Sequence, residues 1–306
     1  MVQTTEAHLV RRLLGTALLM IAINAFLTLV AQPPSYWHSP QSAIRFDGLA
    51  IHSSTNPMFD FFLGRGWPTY LACVALFAAV VCLIVAALPK RLAIVAELTV
   101  TFALCDCGSN WIVVRWNTGT TGAWIYVAFV AFLLAAAVLP SLDQADHHAL
   151  TRLSWLMALA TAIDAAFTLI GQPATYWQNT ATVHEGNPIA KFFLEIGWWA
   201  YLAYILVWTA IPWLITLRAS RLAGWAIVFA FTLGGLLGGS NWLFYVWRLG
   251  LQTPILYALL LSILIVQLVL KRDHQAPSRA RSSDPAPPTP SHRPANPEPR
   301  GVFDCC

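Results

Sequence analysis

The residues able to do chemistry within the apolar stretches of this chain are few, and most fall between Asp164 and Pro188. Asp164, Thr168 and Gln172 follow one another at four-residue steps, which sets a carboxyl, a hydroxyl and an amide along one helix face. His184, Glu185 and Asn187 come just after, ahead of Pro188. An ionised carboxylate facing lipid at mid-span costs about 2.5–3.5 kcal/mol, so this stripe must turn towards protein or a water-filled cavity. For Thr168 and Gln172, hydrogen bonding between helices is the plainer role, at about 0.6 kcal/mol for each bond. For Asp164 function comes first, because an ionisable group inside a membrane is a functional candidate by default.

Asn187-Pro188 has the form of a helix start, with Asn as N-cap and Pro at the first helical position. Free N–H groups at such a start suit an anion or a carboxylate; the competing outcome is that Glu185 itself settles there. His184, Glu185 and Asp164 are the candidate ligands for a divalent metal. No HExxH pattern and no second nearby His supports them, so metal is the weaker alternative and no cofactor is assigned. Asn241 joins the ligand-binding candidates from another segment, Ser240-Asn241-Trp242, and is expected to face the Asp164 stripe. Before it, Gly234 and Gly238, and Gly235 and Gly239, are spaced four apart, a pattern of close helix contact. His147-His148, in an acidic loop, are expected to be solvated rather than ligating.

The elements that position these groups follow from composition. Hydrophobic residues make up 58% of the 306 positions and charged residues 10%, where a soluble domain has about 25% charged residues. Mean hydropathy is +0.61. The class is therefore an all-α polytopic membrane bundle. The net charge of +4 is spread along the chain, and no basic patch points to nucleic acid. Of six Cys, four lie in apolar runs, where a thiol is a small hydrophobe. Cys105 and Cys107 belong to different helix faces, and no paired zinc-type spacing is present. Apolar runs predict eight spans near 13–30, 67–88, 92–115, 121–140, 153–171, 197–217, 222–247 and 253–270, each close to the ~20 residues a bilayer needs.

The chain also resembles itself. Asn24, Thr28, Gln32 and Trp37 recur as Asp164, Thr168, Gln172 and Trp177, 140 residues later. From Asn56-Pro57 and Asn187-Pro188 onward the offset is 131, through Gly66 and Gly197 to Ser109-Asn110-Trp111 and Ser240-Asn241-Trp242. Two four-span repeats are expected, 1–146 and 147–272, lying parallel because four is even. Asp106 and Glu97 have no counterpart in the second copy, where Leu237 and Val228 stand. Lys and Arg are denser on the segments that share a side with the N-terminus, which predicts cytoplasmic termini. Residues 273–306 are Pro-rich and poor in apolar side chains until Val302-Phe303, the composition of a disordered cytoplasmic tail. The terminal Cys305-Cys306 resembles a prenylation end, for which an eight-span protein has no need as an anchor. A protein partner of the tail is left unassigned.

With Asp164, Thr168, Glu185, Asn187, Pro188 and Gly197 in this order, the second copy resembles an uncharacterised family of bacterial polytopic membrane proteins, a domain of unknown function. Its recurring pattern is Asp-x3-Thr followed by Glu-x-Asn-Pro. The first copy departs from it, with Asn24 for the Asp and Ser54 for the Glu. The resemblance implies a bacterial cytoplasmic membrane and an activity confined to the second copy, and brings no known reaction. The leading expectation is binding or transport of a small polar solute or cation near the outer face. Its rivals are an intramembrane hydrolase or lipid-modifying enzyme, with Asp164 and Glu185 as acid and base, and a non-catalytic membrane scaffold.

Overall fold

The computed structural model describes residues 2–43, 61–116, 118–141, 147–243, 247, 249 and 252–269. Within them the chain is all helix and turn, with no strand. Eight helices are long and apolar enough to cross a membrane, so this is a multi-pass integral membrane protein. They are α1 (Val2–Val30), α2 (Trp67–Ala87), α3 (Lys90–Trp116), α4 (Gly119–Val138), α5 (His147–Ile170), α7 (Trp198–Thr216), α8 (Arg221–Asn241) and α9 (Gln252–Val269). A short amphipathic helix, α6 (Pro188–Ile196), precedes α7.

Burial sorts the spans. The third and seventh, α3 and α8, are the most enclosed, whereas α2 and α7 are the least. On α2 and α7, Leu76, Leu83, Leu206 and Leu214 stand exposed, as expected of helices apolar all round and bathed in lipid. The tightest neighbours are α1 with α3 and α5 with α8; α4 then packs on α8, and α9 on α3. One core runs through this arrangement, with Phe102, Leu134, Met157, Phe229 and Leu261 among its buried members.

Small residues let α8 sit at the centre. A Cβ at Gly235 would meet the Ala160 backbone at 2.8 Å, and one at Gly239 would meet Tyr257 at 2.9 Å. These two glycines therefore serve helix contact, as the four-residue spacing predicts. Gly234 and Gly238 do something else: they lie under Trp124 and the Asp164 carboxylate and line a cavity. The helix expected over 222–247 ends at Asn241, passing into a wider turn at Trp242-Leu243. The first span begins earlier than expected, since α1 starts at Val2 and carries Arg11 and Arg12 on its exposed surface.

The segments after α1 and α5 fold alike. Each leaves its helix through Pro33 or Pro173 into a short 3-10 turn, Pro34–Trp37 or Ala174–Trp177. Tyr36 Oη then donates to Leu63 O (3.1 Å), and Tyr176 Oη to Leu194 O (3.0 Å). Gly66 and Gly197, both at positive φ, turn the chain into the following span. Ser54, Asn56-Pro57, the 273–306 tail with Cys305-Cys306, and the side chains of Asn110, His147 and His148 lie outside the described residues.

Candidate functional site

The site is built from α5 outward. Asp164 stands six residues before Ile170, the end of α5, about 9 Å below that end at ~1.5 Å per residue. Its carboxylate projects onto α8 at Gly238, where any Cβ would overlap it. It faces a cavity of about 410 Å³ bounded by α3, α4, α5, α7, α8 and the segment leading into α6. Among the described residues no hydrogen bond or ion pair reaches this carboxylate, and no Lys or Arg lines the cavity.

Thr168, one turn above, is buried and shares a side-chain hydrogen bond with Tyr201 of α7. Thr28 and Tyr70 make the same bond beside α1. Glu185 and Asn187 line the same cavity as α8's glycines. Asn187 caps α6, its Oδ1 accepting from the N–H groups of Ile189 (3.0 Å) and Ala190 (3.5 Å). Glu185 Oε1 accepts from Asn187 N (2.8 Å). The helix start is thus already satisfied by the chain's own side chains, leaving it unsuited to an anionic ligand. Burial pushes the Glu185 carboxyl above its ordinary range; the backbone N–H groups of Asn187 and Gly186 and the neighbouring His184 pull it back down.

Five of the six expected ligand-binding residues line the cavity: Asp164, Thr168, Glu185, Asn187 and Asn241. Gln172 does not. Its Nε2 donates to Thr168 O and His184 O (both 3.0 Å) and its Oε1 accepts from His184 N (2.8 Å). Two of these bonds pin the loop at His184 and the third ties the amide to its own helix, so Gln172 is a clamp.

For the expected metal ligands His184, Glu185 and Asp164, no three His, Cys, Asp or Glu side chains come together as a metal-holding group among the described residues. His184 is fixed through its backbone by Gln172, and its ring lies beside the Trp242 indole, 6.3 Å between centroids.

What residue-type reasoning passes over is the aromatic wall. Tyr201, Tyr204 and Trp208 sit at i, i+3 and i+7 on one face of α7 and line the cavity. Trp208 continues to Phe231 (5.4 Å) and Trp124 (5.9 Å), and Tyr204 to Trp208 (5.8 Å). That spacing is visible in the sequence, but fourteen Trp spread along a membrane protein draw attention to the interfaces instead.

The other two intramembrane carboxyls lie elsewhere. Asp106 Oδ1 accepts from Ser240 Oγ (3.3 Å), tying α3 to α8. Glu97 is fully buried in α3, and neither of its oxygens has a hydrogen-bond partner among the described residues. Asn24, in the place that Asp164 occupies on α5, is enclosed too. Its Nδ2 donates to Met20 O (2.9 Å) and Tyr126 Oη (3.3 Å).

Set against known protein families, curated proteins and solved structures, the chain finds no match.

Proposed function

We propose that this protein binds a small polar solute or a cation in the cavity over Asp164, and that binding serves its movement across the membrane. The observation that carries the proposal is the Asp164 carboxylate itself: within the membrane span, aimed into a cavity, over a glycine that keeps space for it. An interhelical glue residue would be expected to hold a partner on a neighbouring helix. Thr28 and Asn24 do so through Tyr70 and Tyr126; Asp164 does not.

The setting we assign is a bacterial cytoplasmic membrane with both termini inside, on the strength of the Lys/Arg distribution and the family resemblance. Asp164, Thr168, Glu185 and Asn187 all line one cavity, which supports treating them as a single motif. We further propose that residues 1–146 and 147–272 are a parallel repeat. The paired Tyr36/Tyr176 and Tyr70/Tyr201 hydrogen bonds and the crossed packing of α4 on α8 and α9 on α3 support it. The cavity then belongs to the second half, walled on one side by α3 and α4 of the first, the kind of interface where duplicated transporters hold their substrates.

The test is thermal melting of the purified protein in detergent against a panel of inorganic salts, amines, amino acids and sugars, for wild type and Asp164→Asn. At least one charged class should raise the wild-type melting temperature and leave the variant unmoved. Equal behaviour of the two proteins across the panel would refute the proposal. Stoichiometric zinc in the purified protein would transfer the case to a metal-dependent enzyme.

A further inference from the structure

The geometry points to an organic ammonium cation, an amine or quaternary ammonium without its own carboxylate, as the ligand of the Asp164 cavity. This inference rests on the binding function proposed above and narrows it to a substrate class.

Three features of the site select that chemistry. The first is charge. Asp164 and Glu185 face the same space and repel each other electrostatically, with no Lys or Arg beside them among the described residues. A positive ligand relieves that repulsion, whereas a ligand carboxylate would add to it. The helix start nearest the site, that of α6, is closed to an anion by Asn187 and Glu185.

The second is size and coordination. A dehydrated inorganic ion needs several oxygens converging at about 2.0–2.6 Å. Among the described residues no three His, Cys, Asp or Glu side chains converge, and a cavity of about 410 Å³ far exceeds one ion. Small-molecule sites run from about 300 to 1,000 Å³, so the space suits a small organic solute.

The third is the wall. Tyr201, Tyr204, Trp208, Phe231, Trp124 and Trp242 border the cavity. Aromatic faces attract cations through the ring quadrupole, and rings combined with an acid are the usual receptor for an alkylated ammonium, which has few N–H groups to donate. The wall and the acid change together in part. At the positions 131 residues before Tyr204 and Phe231 stand Cys73 and Val100, and Asn24 stands for Asp164, while Tyr70, Phe77 and Trp111 keep rings in the places of Tyr201, Trp208 and Trp242. The half that lacks the carboxylate thus lacks the rings of Tyr204 and Phe231.

The experiment titrates tetramethylammonium chloride and choline chloride against the detergent-solubilised full chain, reading tryptophan fluorescence and melting temperature. Sodium chloride and potassium chloride at matched ionic strength, and the zwitterion glycine betaine, are the comparators. The variants are Asp164→Asn, Tyr204→Leu and Tyr204→Phe. Saturable responses to tetramethylammonium and choline are expected, with betaine weaker. Asp164→Asn should abolish them, Tyr204→Leu should weaken them about tenfold, and Tyr204→Phe, which keeps a ring face, should retain them. A ligand-free melting temperature of Tyr204→Leu matching that of Tyr204→Phe shows that its loss of response is not a failure to fold. A response to sodium or potassium alone, lost in Asp164→Asn, would overturn the organic-cation assignment while sparing the Asp164 site. No Asp164-dependent response to any of these probes would overturn the assignment, and silence across the wider panel would overturn the site with it.

Discussion

The Asp164 carboxylate lies against the Cα of Gly238, in space that any side chain at 238 would fill. Gly238→Ala should therefore push the carboxylate out of position, at an overpacking cost of about 1–3 kcal/mol, and weaken every ligand response that depends on Asp164. Gly15→Ala is the matched control: Gly15 is exposed on α1 with nothing near the added methyl, and the change should leave both melting temperature and binding intact. Gly238→Ala binding as well as wild type would mean that the carboxylate does not need its present place.

Gln172 holds the loop that presents Glu185, through bonds to both backbone groups of His184. Gln172→Leu removes these and strands partly buried polar groups, each costing about 1–3 kcal/mol. We expect a lower melting temperature and faster proteolysis within 178–187, with the rest of the bundle still folded. A loop as protected as in wild type would show that Gln172 is not its clamp.

Much of this was legible from residue types and spacing. Eight spans, the N-cap at Asn187 and the common face of Asp164 and Thr168 follow from hydropathy and helical periodicity. Whether a polar residue on that face lines a cavity or pins a loop does not. Thr168 and Gln172 share the stripe, yet Gln172 lies just past the last turn of α5, where the returning chain meets it. The two glycine pairs of α8 divide in the same way: one takes a neighbouring helix and ring, the other a carboxylate and an indole. Both outcomes depend on which partner faces each position, which periodicity within one helix cannot specify.

Glu185 should give a pH signature. Burial raises its carboxyl above the ordinary 4.5, so just above that value the folded chain keeps a proton that the unfolded chain has released. Stability then falls as pH rises from 4.5 to the folded value, and is flat beyond it. Glu185→Gln should remove that slope from a plot of melting temperature against pH. His184 and Asp164 face the same site and remain in the variant, so they serve as the internal reference. Cation binding runs the other way, fading on acidification from a higher pH than an ordinary glutamate would give. An unchanged slope in Glu185→Gln would assign the titration elsewhere.

The proposed parallel arrangement of the halves makes a topological prediction. Four spans, α2 to α5, separate residue 40 from residue 180, so both must lie on one side of the membrane. Reporter fusions after residues 40, 145, 180 and 275 should read out, in, out and in. Opposite signals at 40 and 180 would break the parallel repeat; a uniform inversion would reverse only the orientation.

The charge of the second-half carboxylates is the centre of the account, and the chain supplies its own neutral template in Asn24 and Ser54. The most direct measurement is an equilibrium fluorescence titration with tetramethylammonium in lipid nanodiscs. It compares wild type with the Asp164→Asn, Glu185→Ser double variant at equal helicity and equal ligand-free melting temperature. Wild type should show one saturable site, and the double variant an affinity lower by more than about tenfold, or no site at all. The same affinity in both proteins would contradict the account, since neutral side chains would then serve as well as the carboxylates.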